Sequence, residues 1–447
     1  MFRVVCVAVT VCVLWLGSAA LADEGTAVDQ IVSVLREKGL IDEATGNEIL
    51  AKQAKAEAAQ AAKAAPPVSQ GSLLDGFIFS GDLRLRDEQF WYGRAFGSTA
   101  DDNNRIRYRA RIGFTKQVTP WALVGVRLAS GVTDYRSTNV SAGEGADFNY
   151  DSVFFDRAYA QFALPDPGIG LKTSLTAGKM QNPFIWKNGV DRIMWDDDIA
   201  PEGVALTTSW SPNERSRLWG TFGYYIELQN STAVDPRVFG YQAGGSIKVI
   251  DAVEVGARVS YYDWEHLGND ASGAGFFGRS AANGNLPNAF DPDMSVIESS
   301  GYVSWAGLEG WPVILWGTWV QNLAADGAIV DGVRIGAEDQ AFGFGLEAGD
   351  AKKLLRFGVG YHHVEANAVA ALYTDSDLLD GRTNRRGFVL YGFREVATNT
   401  ELRFSLFDGH PIKTSGSGFG DGPFNISGTT DSQANRRRLQ ADLNMKF

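Results

Sequence analysis

Four arginines, Arg105, Arg107, Arg109 and Arg111, alternate with Ile106, Tyr108, Ala110 and Ile112. In extended backbone a two-residue period sends all four to one face and the apolar side chains to the other. Arg84, Arg86, Arg127, Arg436 and Arg438 lie in segments of the same alternating kind. A basic row of this sort attracts anions or polarises water in a constriction. The plainer reading is ordinary charge, balanced by nearby acids such as Asp82 and Asp442.

A second group is acidic. Asp191, Asp196, Asp197 and Asp198 sit in a connection, 183–200, that also holds Trp186, Ile193, Met194 and Trp195. That connection is too apolar for a freely solvated loop. Turned inward, it would present carboxylates opposite the arginines and set up a transverse field; left outside, it would be an acidic rim. The three consecutive aspartates lack the alternating ligands and the glycine of a calcium loop. Catalysis has little to work with. The histidines are His266, His362, His363 and His410, and the adjacent pair points to opposite faces of a strand. No GxSxG, HExxH, P-loop or CxxC pattern occurs, so no enzyme, metal or cofactor is expected.

The elements that would position these groups follow from periodicity. From residue 76 to 447 the chain reads as 16 segments of roughly ten residues: 76–90, 104–118, 120–132, 152–164, 171–182, 201–211, 215–228, 237–249, 252–265, 293–306, 311–322, 339–348, 353–365, 385–396, 400–408 and 434–447. In the last, Leu439, Ala441, Leu443, Met445 and Phe447 oppose Arg438, Gln440, Asp442, Asn444 and Lys446. Tight connections at 119–120, 213–214 and 250–251 contrast with long ones at 91–103, 133–151, 183–200, 266–292, 366–384 and 409–433. Short turns on one side and long loops on the other describe an all-β, transmembrane antiparallel β-barrel. A soluble sandwich or propeller would bury the polar face unpaired, which a dry core does not tolerate. Closure pairs the last strand with the first, so the nine arginines become one pore-lining wall. Trp91, Tyr92, Trp121, Trp210, Trp264 and Trp311 near segment ends suit interfacial girdles.

Composition agrees. The longest apolar run, Val4–Leu16, is too short for a spanning helix, and a net charge of −12 gives no support to nucleic-acid binding. Arg3, that run and Ala20-Leu21-Ala22 read as an export signal over 1–22. Both cysteines fall inside it, so the exported chain has no thiol to crosslink. Residues 23–65 read as a periplasmic helical segment, broken at Gly39 and capped again by Asp42, either a solvated spacer or a coiled coil. Pro66-Pro67 opens a linker over 66–75.

Two stretches carry a resemblance. The ending Ala441–Phe447 is similar to the terminal strand of outer-membrane barrels, whose final aromatic the assembly machinery recognises, which makes Phe447 an assembly signal by resemblance. Arg157–Phe162, Gly178–Phe184, Asp196–Asp198 and Pro201-Glu202-Gly203, with the Lys38–Ile41 step, resemble the putative-porin family of Gram-negative bacteria, close in layout to the phosphate-selective porins. The resemblance implies an outer-membrane channel passing small hydrophilic solutes, with membrane lipid and the barrel assembly machinery as partners and a homotrimer as the assembly. It also implies that the 183–200 loop narrows the pore. An anion- or phosphate-selective channel and a barrel anchoring a periplasmic partner are the alternatives.

Overall fold

The structure, a computed structural model, describes residues 36, 42–45, 47, 51–52, 75–92, 103–131, 135–143, 150–186, 192–269, 294–307, 311–330, 333–413 and 435–447. It divides into Met1–Gly76 and Phe77–Phe447. The export signal, most of the helical segment, the linker up to residue 74 and Asp191 lie outside the described residues. In the first unit, Asp42 Oδ1 accepts the Thr45 backbone N–H at 2.7 Å, the N-cap expected there.

The second unit is a closed antiparallel barrel of 16 strands. They are β1 (Phe77–Tyr92), β2 (Asn103–Thr119), β3 (Ala122–Gly131), β4 (Ser152–Leu164), β5 (Leu171–Lys179), β6 (Glu202–Asn213), β7 (Ser216–Ile226) and β8 (Arg237–Ile250), followed by β9 (Val253–Glu265), β10 (Met294–Trp305), β11 (Val313–Asn322), β12 (Gln340–Gly349), β13 (Arg356–Val364), β14 (Arg385–Ala397), β15 (Thr400–Pro411) and β16 (Arg436–Lys446). Each expected segment overlaps one of them, and several strands run one to three residues past the expected bounds. Every strand pairs with its sequence neighbours, and β1 closes on β16 with Asp82 opposite Lys446 and Tyr92 opposite Arg436. Phe447 extends that closure by exchanging two backbone hydrogen bonds with Gly81, at 2.8 and 3.1 Å.

Long connections follow each odd-numbered strand, and we label them L1 to L8. Two of these, L4 (227–236) and L6 (323–339), add to the six long connections named from the sequence. The two-residue period holds on the outer surface. Ile106, Ile112, Phe155, Leu218, Val259, Leu315, Phe344, Leu390 and Leu406 are all exposed there. Such an apolar belt suits lipid and would aggregate in water.

The inner surface is divided in two. From β16 through β1 to β4 it is polar and charged. From β7 round to β15 it carries Tyr225, Val238, Tyr262, Trp264, Met294, Val296, Val320, Val364, Val389 and Phe407, all buried. Trp264 therefore belongs to the interior and not to an interfacial girdle. What covers this apolar half is two loops, L3 (180–201) and L7 (365–384), which fold into the barrel.

The candidate constriction and its ion-pair wall

L3 enters the interior because its apolar residues find the apolar half of the wall. Met180, Phe184, Ile193, Met194, Trp195 and Ile199 are buried in one cluster with Tyr225, Tyr262 and Trp264. Each side chain of this size contributes about 1.5–3 kcal/mol when withdrawn from water. Polar ties fix the path. The Phe184 carbonyl accepts from Gln242 Nε2 on β8 at 2.9 Å and from Arg258 Nη1 on β9 at 2.6 Å. Arg258 is itself neutralised by Glu298 at 2.9 Å, a pair buried on both sides. The Trp195 ring lies 5.5 Å from Tyr262, 5.9 Å from Trp264 and 5.5 Å from Tyr373 of L7.

L7 locks onto L3. The Asp196 N–H donates to the Tyr373 carbonyl at 2.7 Å, and the Ser376 N–H donates to Asp196 Oδ2 at 2.7 Å. L2 (132–151) completes the assembly: Arg136 Nη1 donates to the carbonyls of Ala371 and Gly381 at 3.2 and 3.1 Å. Val140–Ser141 of L2 pairs with β2 at Arg107 and Tyr108. The sequence marks L7 only faintly, by the apolar run Ala368–Leu372 inside an otherwise polar connection.

Opposite these loops stand the arginines. All nine singled out in the sequence lie on the contiguous strands β16, β1, β2 and β3, and Arg157 on β4 continues the row. Most are paired. Asp82 receives Arg109 and Arg111, each at 2.7 Å. Glu88 meets Arg105 at 2.5 Å, Arg86 and Arg438 at 3.7 Å and Arg107 at 3.8 Å. Asp442 takes Arg86 at 2.6 Å, Asp156 takes Arg127, and Asp380 of L7 takes Arg436. Asp156 reaches the interior because the register slips beside Arg127, an irregularity in which two successive residues, Asp156 and Arg157, share one inner position. That slip is invisible to a strict two-residue pattern.

The loop acids divide. Asp198 crosses to the wall, 3.2 Å from Arg111 and 3.8 Å from Arg109, and also accepts the Thr138 hydroxyl at 3.2 Å. Burial opposes its ionisation, but Arg109 and Arg111 outweigh it and hold the carboxyl below its ordinary range. Asp196 instead serves the L3–L7 junction, and burial, with Asp375 and Asp198 nearby, pushes its carboxyl well up. Asp197 is exposed. Asp377 of L7, which no pattern in the sequence marks, inserts between Arg86 at 3.0 Å and Arg438 at 3.3 Å while Gln440 Nε2 donates to it at 2.9 Å. Those two arginines overcome its burial and hold it well below the usual carboxylate range. His362 points inward and His363 outward, where it stacks on Phe342 at 5.0 Å. Among the described residues no group of acids, histidines or cysteines could hold a metal ion.

A family model described as a putative porin matches residues 83–286, which spans the arginine wall from β1 to β4 and all of L3. Over that stretch the chain is similar to the putative porin family. Solved structures similar to this chain include OprB of Pseudomonas putida, at 12% identity over 84% of this chain and 95% of that one with a TM-score of 0.51. Another is OmpF of Salmonella typhi in complex with daunomycin, at 12% identity over 84% and 99% of the two chains with a TM-score of 0.48. The first supports the barrel fold. No curated protein matches this chain at a significant level. It is a channel of the Gram-negative outer membrane for passive diffusion.

Proposed function

We propose that small hydrophilic solutes cross this porin through a constriction bounded by the arginine wall on one side and by L3 and L7 on the other. The observation that carries the reading is the seating of loop carboxylates, Asp198 from L3 and Asp377 from L7, directly on that wall. Seven acids (Asp82, Glu88, Asp156, Asp198, Asp377, Asp380 and Asp442) neutralise most of it. The pore would then select chiefly by size and by a transverse field, with a weak preference for anions and no binding site for phosphate. Reversal potential across a bilayer under a KCl gradient tests this. A small anion-favouring potential, unaffected by millimolar phosphate, is expected; near-ideal anion selectivity blocked by phosphate would refute it.

Removal of the 1–22 signal would leave 23–65 as a periplasmic helical segment joined by the 66–75 linker to the barrel. Three copies would pack through their apolar outer walls, and Phe447 at the closing seam would serve the assembly machinery. Absence of an enzymatic role belongs to the same reading and rests on the channel architecture. Deleting residues 23–70 should leave a folded, conducting barrel. Mass measurement in mild detergent should give a trimer for the full chain, and a monomer would count against this assembly.

A further inference from the structure

Two arginines of the wall stand apart from the neutralised network. Arg84 donates Nε to the Asn444 side-chain oxygen at 2.9 Å, and Arg157 donates Nη1 to the Gln181 side-chain oxygen at 2.9 Å. Among the described residues, neither has a carboxylate within the 4.0 Å that defines an ion pair, whereas the other eight each do. Both Nη groups of Arg84 have no protein partner among the described residues, and neither has Arg157 Nε, which is buried. The loops hold a counterpart. Asp196 is consumed by the backbone N–H groups of Ser376 and Asp198, and Asp198 by Arg109, Arg111 and Thr138. The exposed Asp197 accepts no hydrogen bond and forms no ion pair among the described residues.

Resting on the porin reading, we propose that Arg84, Arg157 and Asp197 set the ion selectivity of this channel. The four-arginine row on β2 is instead a structural brace. The physical reason is the range of the fields. A guanidinium locked to a carboxylate is a dipole, and its influence on a passing ion fades within a few ångströms. A guanidinium bound to a neutral amide keeps its full unit charge, and its spare N–H donors are available to a passing anion at the cost of one neutral hydrogen bond. The solute class this favours is a small anion, for which chloride is the probe.

The test is reversal potential in a tenfold KCl gradient, with the full chain reconstituted in a planar bilayer. Arg84→Gln and Arg157→Gln should each lower the chloride-to-potassium permeability ratio about fourfold, the effect of one charge roughly 5 Å from an ion in water. Asp197→Asn should raise the ratio by a similar factor, and Arg84→Lys should keep the parent value. Arg237→Gln makes the same charge change on the outer face, beside Glu265 at 2.5 Å, and should leave the ratio unchanged. If one glutamine variant fails to insert, Asp197→Asn and Arg84→Lys still decide. Glutamine variants that conduct with shifts no larger than Arg237→Gln would overturn the proposal, as would an unshifted Asp197→Asn. A parent protein that does not conduct at all would overturn the porin reading beneath it.

Discussion

Replacing Glu88 by glutamine should destabilise the barrel by about 3 kcal/mol. The carboxylate has 0 % side-chain exposure and faces four guanidiniums, with Arg105 at 2.5 Å and Arg86, Arg438 and Arg107 at 3.7–3.8 Å. Its Oε1 also accepts Gln440 Nε2 at 2.8 Å, a bond the glutamine oxygen can keep. What disappears is the charge. At an effective dielectric of about 20, one charge pair near 3.7 Å is worth roughly 4 kcal/mol. Arg86 and Arg438 retain Asp377 and Asp442, and Arg105 is 37 % exposed, so only part of the four-fold interaction is lost. Measured cases of removing one partner from a buried pair run about 3–5 kcal/mol, and the low end applies here. The assay is guanidinium unfolding in detergent micelles, followed by tryptophan fluorescence and by heat-modifiable gel mobility. Adding Arg105→Gln to Glu88→Gln should recover about 1 kcal/mol in a double-mutant cycle. A loss below about 0.5 kcal/mol for Glu88→Gln would refute the claim that this acid braces the wall.

The anchoring of L7 through Asp377 should not weaken in mild acid. Asp377 is held well below 3.8, so the stability it contributes is fully present above the unfolded value and is lost only as pH falls through the depressed folded one. Limited proteolysis of L7 should therefore be flat from neutral pH down to about 4, and cleavage appearing near pH 6 would contradict this. Gly178→Ala should reduce the yield of refolded barrel and cost about 1–3 kcal/mol, because φ is +114° there and the new Cβ would meet the Ala158 carbonyl oxygen; a wild-type midpoint would refute it. For topology, a cysteine at Gly268 in L5 should label on intact cells and one at Asn213, at the β6–β7 turn, should not. The reverse pattern would invert the barrel.

The strands were legible because lipid on one side and charge on the other force a strict alternation, and no tertiary contact competes with it on the outer face. Arg105 to Arg111 and their apolar alternates are the clearest case. The partners of those arginines were harder to see. Glu88 falls in register with its basic neighbours only once β1 pairs with β2 and β16, and Asp156 turns inward through a slip that breaks the period. The inward course of L3 could be argued from Trp186 and Ile193–Trp195, whereas the apolar run of L7, Ala368–Leu372, is three alanines with one Val and one Leu, a signal too weak to separate a buried loop from an exposed one. The apolar inner surface at Tyr262 and Trp264 was hidden for another reason. In sequence an aromatic near a strand end looks the same whether it packs on a loop inside or sits at the membrane interface outside.

Single-channel recording of the purified full-length protein in a planar bilayer bears on the central claim most directly. The account predicts stepwise, ohmic current, with entry of small uncharged sugars in a parallel liposome-swelling assay. Folded, membrane-inserted protein that gives neither current nor swelling would contradict it.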